Sequence, residues 1–394
     1  MNNINSFVRK CSVSFFAYFG SFAIIIPLSG LYLSLNGFSK KEIGLILGIA
    51  ILARVLGPLT FTVLTLKLKN LYNIVFFQCL LLLASSLLGL FTSGKAATMI
   101  ALSLTNIFWI SILPNLETIA LTVLKDNMGK YSKVRMWGSV GFIIISLTLS
   151  EIMIKAGSNW FWYALILMNV VLILSLQQLS RLIKFKATAQ KVNSFFIEKR
   201  LIVYYSVFFL FELSHAPYHG FFSILLLDKG HSGFTIGFLI ALAVICEIIA
   251  FGKASVLLNR YTTDRLLIIC ALAASLRWTI TEMFTSSLLM IIVAQLLHAF
   301  TFAIVHVCAM KVLSENSDEL IIAKRQTTYT VITMGLGAAL GSYLAGQLWD
   351  LSAGSGTSSF ISVGTLSGVI IVLLLVIKRV VDYKSRSISS TLTK

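Results

Sequence analysis

Apolar runs about twenty residues long recur from one end of the chain to the other, and no other feature restricts the fold so severely. A helix needs roughly 20 apolar residues to cross a hydrocarbon core about 30 Å thick. In lipid every backbone N–H and C=O must be paired within the protein, which leaves only helices and closed barrels. The runs are unbroken rather than alternating, so helices are expected. Composition agrees: 12% of residues are charged and 57% hydrophobic, where soluble domains carry about 25% charged residues. The expected fold is an all-α membrane protein of twelve transmembrane helices, at 11–33, 41–64, 71–92, 96–124, 132–155, 159–181, 200–227, 233–258, 265–285, 288–312, 326–349 and 359–379. The first run follows MNNINSFVRK and is read as a retained helix, because it is 23 residues long and lacks a small-x-small cleavage pattern.

A net charge of +17 invites a nucleic-acid reading, which the placement of the charge removes. Most Lys and Arg fall at the N-terminus, in the even-numbered connections and in the C-terminal tail; residues 181–200 alone hold Arg181, Lys184, Lys186, Lys191, Lys199 and Arg200. That bias is the positive-inside pattern, with both termini cytoplasmic. The five cysteines, at 11, 79, 246, 270 and 308, lie in apolar spans without metal-ligand spacing and read as small core residues.

GFSKKEIG at 37–44 and GHSGFTIG at 230–237 share the pattern G-x-S-x-x-x-I-G. They lie 193 residues apart, close to half the chain, each between the first and second spans of a six-helix half. The expected organisation is an N-terminal half at 1–185, a cytoplasmic linker at 186–199 and a C-terminal half at 200–394. Two parallel six-helix repeats resemble the arrangement of the major facilitator transporters, which hold substrate between the halves near mid-membrane. The acidic loop signature of that superfamily is degraded here. PLTFTVLTLKLKN after Gly57 lacks the acid, while KASVLLNRYTTDR after Gly252 keeps Arg260 and Asp264.

Ionisable side chains inside a span are costly, so each implies a partner or a task. Residues equally far from a hairpin turn lie at similar depth, at about 1.5 Å per residue. Around Asp126 this matches Glu117 with Arg135, either as a substrate-binding pair or as a structural one. In the second half the same counting puts Glu212, Glu247, Arg277 and His298 in one layer, suited to proton coupling. A carboxylate removed from water holds its proton and a nearby arginine releases it, and histidine titrates near neutrality. His215 and His219 either bind or brace neighbouring helices. Trp137 and Trp278, each beside an arginine, either stack an aromatic ligand or fill core volume. Trp109, Trp160, Trp162 and Trp349 read as interface anchors or packing, and Glu282 as snorkelling to a surface.

YSKVRMWGSVGF, HAPYHGF (215–221), CEIIAF (246–251), SLRW (275–278) and QLLHAFTFAIVHVCAMK (295–311) make the sequence similar to the 3-phenylpropionate permease family, relatives of lactose permease-type proton symporters. That resemblance implies substrate binding by Glu117, Arg135, Arg277 and His298, with Arg135 or Arg277 on the carboxylate and Trp137 or Trp278 on the ring; His215 is a further candidate for substrate binding. The resemblance does not transfer the proton carrier, since Thr301 stands where the relative has an acid; depth leaves Glu247, His298 or Glu212 for that role. The implied function is proton-coupled uptake of a small organic anion, 3-phenylpropionate or a similar aromatic carboxylate. A guanidinium holds a carboxylate through two parallel hydrogen bonds. Sugar or nucleoside symport and proton-antiport efflux remain alternatives. No catalytic, metal or nucleotide-binding motif is present, so the expectation is a non-enzyme without cofactor, driven by a proton gradient. It would work as a monomer in the lipid bilayer of a bacterial inner membrane.

Overall fold

The computed structural model describes residues 2–58, 60–61, 71–125, 127–180, 197–315, 317–349 and 359–392. The expected turn centre at Asp126, most of the connection after Gly57, and the linker lysines and arginine at 181–191 lie outside the described residues. The described residues are helical and contain no strand: α1 Asn2–Ile25, α2 Ser29–Leu35, α3 Lys40–Ala53, α4 Leu71–Phe91, α5 Lys95–Ile110, α6 Ile112–Leu124, α7 Met128–Ala156, α8 Trp160–Ser180, α9 Ile202–Asp228, α10 Gly233–Arg260, α11 Thr263–Met283, α12 Leu288–Leu296, α13 Val305–Ser314, α14 Glu319–Thr330, α15 Ala338–Leu348 and α16 Leu366–Leu392. Wider π-helical turns at Ala299–Ile304, Val331–Gly337 and Phe360–Thr365 join or lead into the later helices.

Ten helical stretches among the described residues are long and apolar enough to cross a membrane, from Ile4–Ile25 to Phe360–Val380. Two expected spans are not among the ten. For 41–64 the described helix is α3, 14 residues long. For 200–227 it is α9, 27 residues long, whose Glu212, His215, Pro217 and His219 dilute its apolar character. The described residues form two compact units. One is Met1–Lys191 with Tyr218–Val244; the other is Val192–Pro217 with Ile245–Lys394.

In the first unit α1 packs along α7 and α8, α4 along α5 and α8, and α3 along α5. Buried polar groups in these helices find partners, as buried polar groups must. The Ser14 and Ser175 hydroxyls lie 2.7 Å apart, and the Gln78 amide donates to the Ser111 carbonyl at 3.0 Å. Gly30 packs so closely that a Cβ there would stand 1.7 Å from the Gly220 carbonyl oxygen. In the second unit α11 packs against α16, α12 and the Ala299–Ile304 and Phe360–Thr365 turns.

The repeated G-x-S element has one local structure in both places. Gly37 (φ 79°) and Gly230 (φ 83°) adopt the left-handed conformation that side chains disfavour. Around each, the glycine N–H reaches back to Ser34 or Leu227, and the next N–H to Leu33 or Leu226. That is the glycine-ended helix stop with its crossed hydrogen bonds. Two residues later a serine starts the next helix. Ser39 accepts from the Glu42 N–H and Glu42 answers at the Ser39 N–H, while the Ser232 hydroxyl accepts from the Thr235 N–H.

Candidate functional site

The second unit buries an arginine completely. Arg277 on α11 is 0% exposed, yet neutral acceptors from neighbouring elements surround its guanidinium. Nη1 lies 2.9 Å from His298 Nδ1, 3.3 Å from His215 Nε2 and 3.0 Å from Thr301 Oγ1, and Nη2 donates to Gln295 Oε1 at 3.2 Å. Gln295, His298 and Thr301 follow one another at three-residue steps, which places all three against α11. The guanidinium carbon stands 4.2 Å from the Trp278 ring centroid, a cation–π distance.

Hydrogen-bond chemistry fixes the tautomers in this cluster. A guanidinium only donates, so the imidazole nitrogens facing it must accept. His215 then carries its proton on Nδ1, which donates to the Phe211 carbonyl at 3.1 Å. His298 carries its proton on Nε2, and that nitrogen lies 3.6 Å from the Glu247 carboxylate on α10. A continuous chain runs Glu247, His298, Arg277, His215. His298 is 5% exposed and Glu247 21% at their side chains, so the carboxylate end of the chain is the more accessible one.

In the first unit Arg135 on α7 and Glu117 on α6 form a pair with 3.7 Å between Nε and the carboxylate, each about one-third exposed. The ring beneath Arg135 is that of Phe19, at 4.0 Å. Trp137 is 47% exposed. The Phe19 contact was not legible as a sequence neighbour, because Phe19 comes from α1. Trp278, unlike Trp137, is fully buried, edge-on to His215 at 5.2 Å. Glu212 on α9 is half-buried and packs its Cβ near the position of Gly337.

Several residues stand differently from the sequence expectation. Trp109, read as an anchor or packing residue, does pack, buried in its unit, but with a charged neighbour the sequence did not show, Arg54, 5.8 Å from its ring. It stacks on Tyr18, and Arg54 Nε donates to Asn106 Oδ1 at 2.7 Å. Glu282, expected to snorkel, is 7% exposed and accepts the Ile361 N–H at 2.6 Å, because the start of the Phe360–Thr365 turn needs an acceptor for its first donors. Glu198, assigned to the linker, pairs with Arg200 and with the buried Arg325, whose Nη1 also donates to the Leu313 and Glu315 carbonyls. Burial raises the Glu198 carboxyl, but the hydrogen bonds from Arg200 and Arg325 hold it below the usual carboxylate range. No sequence rule pairs residues 198 and 325. Among the described residues no cluster of three His, Cys, Asp or Glu side chains could hold a metal ion.

Long apolar helices, buried charges chained between them and no strand among the described residues define a multi-pass helical membrane protein, and its family and relatives make it a transporter. Comparison with solved structures agrees on the fold. The nucleoside transporter NupG superposes with a TM-score of 0.76 at 16% identity, covering 95% of this chain and 98% of that one. A POT family transporter in complex with 5-aminolevulinic acid gives 0.76 at 10% identity over 96% of each chain. The chain belongs to the MFS_1 like family, whose model matches residues 8–360. It is 28% identical over 87% of its length to a protein of Escherichia coli (strain K12) named "Probable 3-phenylpropionic acid transporter", covering 91% of that relative. It is also 23% identical to the maltose permease of Geobacillus stearothermophilus, over 67% of this chain and 68% of that one.

Proposed function

We propose that this transporter is a proton symporter for the uptake of a small organic anion, an aromatic carboxylate such as 3-phenylpropionate. In this reading it has twelve spans in two six-helix halves, 1–185 and 200–394, joined by a cytoplasmic linker at 186–199. It works as a monomer in a bacterial inner membrane with both termini cytoplasmic, and the proton gradient is its driving force.

The observation that carries the reading is the Glu247–His298–Arg277 chain. Arg277 supplies the fork that a carboxylate fits, and its hold on His298 depends on a lone pair at Nδ1. His298 Nε2, which faces Glu247, already holds its proton, so an arriving proton rests on the Glu247 carboxyl and removes the negative charge that balances Arg277 along the chain. The guanidinium then turns to the anion, whose charge offsets the added proton. Arg135, with Glu117 beside it and Phe19 beneath it, is the matching cation of the first unit. The similarity to the 3-phenylpropionic acid relative supports an aromatic acid. Arginines set among apolar and aromatic side chains suit such an anion better than a neutral sugar, although the maltose permease relative keeps sugar symport as the competing reading.

The test is accumulation of radiolabelled 3-phenylpropionate, maltose and a nucleoside in proteoliposomes under an imposed proton gradient. Gradient-dependent accumulation of the aromatic acid alone is expected. Glu247→Gln is expected to abolish accumulation while sparing substrate exchange at equal pH. Accumulation of sugar or nucleoside instead, or gradient-driven uptake unchanged in Glu247→Gln, would overturn the proposal.

A further inference from the structure

The amide nitrogen of Gln295 is a donor that the Arg277 cluster does not use. Gln295 on α12 is 0% exposed, and its Oε1 accepts from Arg277 Nη2 at 3.2 Å. That bond settles the orientation of the amide, because a guanidinium only donates and must face the oxygen. The nitrogen, Nε2, takes the other arm. It is buried, and among the described residues it has no hydrogen-bond partner.

Buried donors are nearly always paired, and one left unpaired destabilises the fold. Packing does not ask for an amide here, since methionine fills a similar space without polar hydrogens. Bracing Arg277 does not ask for one either. A glutamate would accept from the guanidinium more strongly, though it would also cancel the charge. Glutamine is the side chain of this size that gives Arg277 a neutral acceptor and keeps two N–H donors for something else. The backbone agrees that this is a working segment. His298 and Thr301, the other acceptors it supplies, flank the start of the π-helical turn at Ala299–Ile304, and such turns within helices are frequent at functional sites.

Geometry says what the donor can take. The nitrogen and oxygen of an amide stand about 2.2 Å apart, so Nε2 lies within about 5.5 Å of Nη2, given 3.2 Å from Nη2 to Oε1. One carboxylate spans two donors at that separation, with an oxygen about 2.9 Å from each. It is also acceptor-only, with lone pairs enough for both.

We propose that Gln295 is a substrate-binding residue: in the loaded state its amide N–H donates to one oxygen of the substrate carboxylate while Arg277 holds the other. The assignment rests on the aromatic-anion reading given above and adds the side chain that reads the second oxygen. It also supplies selectivity. A neutral arylalkyl alcohol brings one uncharged oxygen to the same two donors, and sites built to hydrogen-bond a substrate group discriminate strongly against analogues that meet it poorly.

Contact between Gln295 and substrate can be measured directly. The transporter is labelled with ¹⁵N at its glutamine amides, reconstituted in lipid and saturated with 3-phenylpropionate carrying ¹³C in its carboxyl group. Solid-state NMR then reads the ¹³C–¹⁵N dipolar coupling. A hydrogen bond from Nε2 puts the two nuclei about 4 Å apart, so the bound carboxyl signal should be dephased in the wild type and not in Gln295→Met. Gln295→Met should also raise half-saturation for 3-phenylpropionate in proteoliposomes about 10-fold. A residue that only braced Arg277 could raise half-saturation but would show no coupling.

A bound carboxyl signal without dephasing in the wild type would overturn the proposal, and so would dephasing that persists in Gln295→Met. If 3-phenylpropionate is accumulated and bound without that coupling, the role of Gln295 alone fails. If it is neither accumulated nor bound, the aromatic-anion reading fails with it.

Discussion

Replacing Arg277 by lysine keeps the charge and removes the fork, so it isolates what the guanidinium geometry contributes. The wild-type side chain reaches His298, His215 and Thr301 from Nη1 and Gln295 from Nη2, at 2.9 to 3.3 Å. An ammonium is a single point on a shorter reach and cannot serve both the cluster at Nη1 and Gln295 at Nη2, so at least one acceptor loses its partner. A hydrogen bond to a charged group contributes about 1.5–3 kcal/mol. The Arg277→Lys protein should therefore unfold at lower temperature, by an amount equivalent to about 1.5–3 kcal/mol. On the proposed role of Arg277, substrate binding should lose a comparable contribution, because a carboxylate that takes two parallel bonds from a guanidinium takes one from an ammonium. Half-saturation for 3-phenylpropionate should rise about 10- to 100-fold. Thermal unfolding of the purified protein and initial uptake rates in proteoliposomes give the two numbers. A variant with wild-type stability and wild-type half-saturation would show that the fork is not what Arg277 provides.

Three further outcomes follow from the packing. Glu198 has its carboxyl held below the ordinary range by Arg200 and Arg325, against the effect of burial. Its contribution is therefore fully present above the unfolded glutamate value of about 4.3, and is lost as pH falls through the lower folded value. Glu198→Gln should flatten the acid limb of a stability-against-pH profile below about pH 4.5 and leave the slope near neutrality unchanged; an unchanged acid limb would contradict the pairing. Gly30→Ala puts a methyl group 1.7 Å from a backbone oxygen and should cost about 1–3 kcal/mol or more in thermal stability. Gly252→Ala, where nothing lies within 4 Å, should stabilise by up to about 1 kcal/mol through helix propensity.

Length and hydropathy were enough to announce membrane helices, because a span is a local property of twenty consecutive residues. Counting from turns was enough to put Arg135 level with Glu117, and Arg277 level with His298 and Glu247. Rise per residue fixes height along a helix whatever the helix packs against. The structure holds these groups 3.7 Å apart in the first case, and 2.9 and 3.6 Å apart along the chain in the second. The paired glycine and serine turns could also be read directly, since a left-handed glycine and an N-cap need only four or five neighbouring residues.

Azimuth was not legible. Which side of a helix faces which neighbour depends on contacts that close only when all the helices have packed. Trp137 and Trp278 look alike in sequence, each beside an arginine, yet one is 47% exposed and the other buried under Arg277. The same cause hid Gln295 and Thr301 as acceptors for Arg277, Trp109 beside Arg54, and Glu282 on the Ile361 N–H. The residues alone therefore set the class of the molecule and the depth of its charges. Packing chose the partners, because rotation about a helix axis leaves every sequence-derived height unchanged while deciding every side-chain contact.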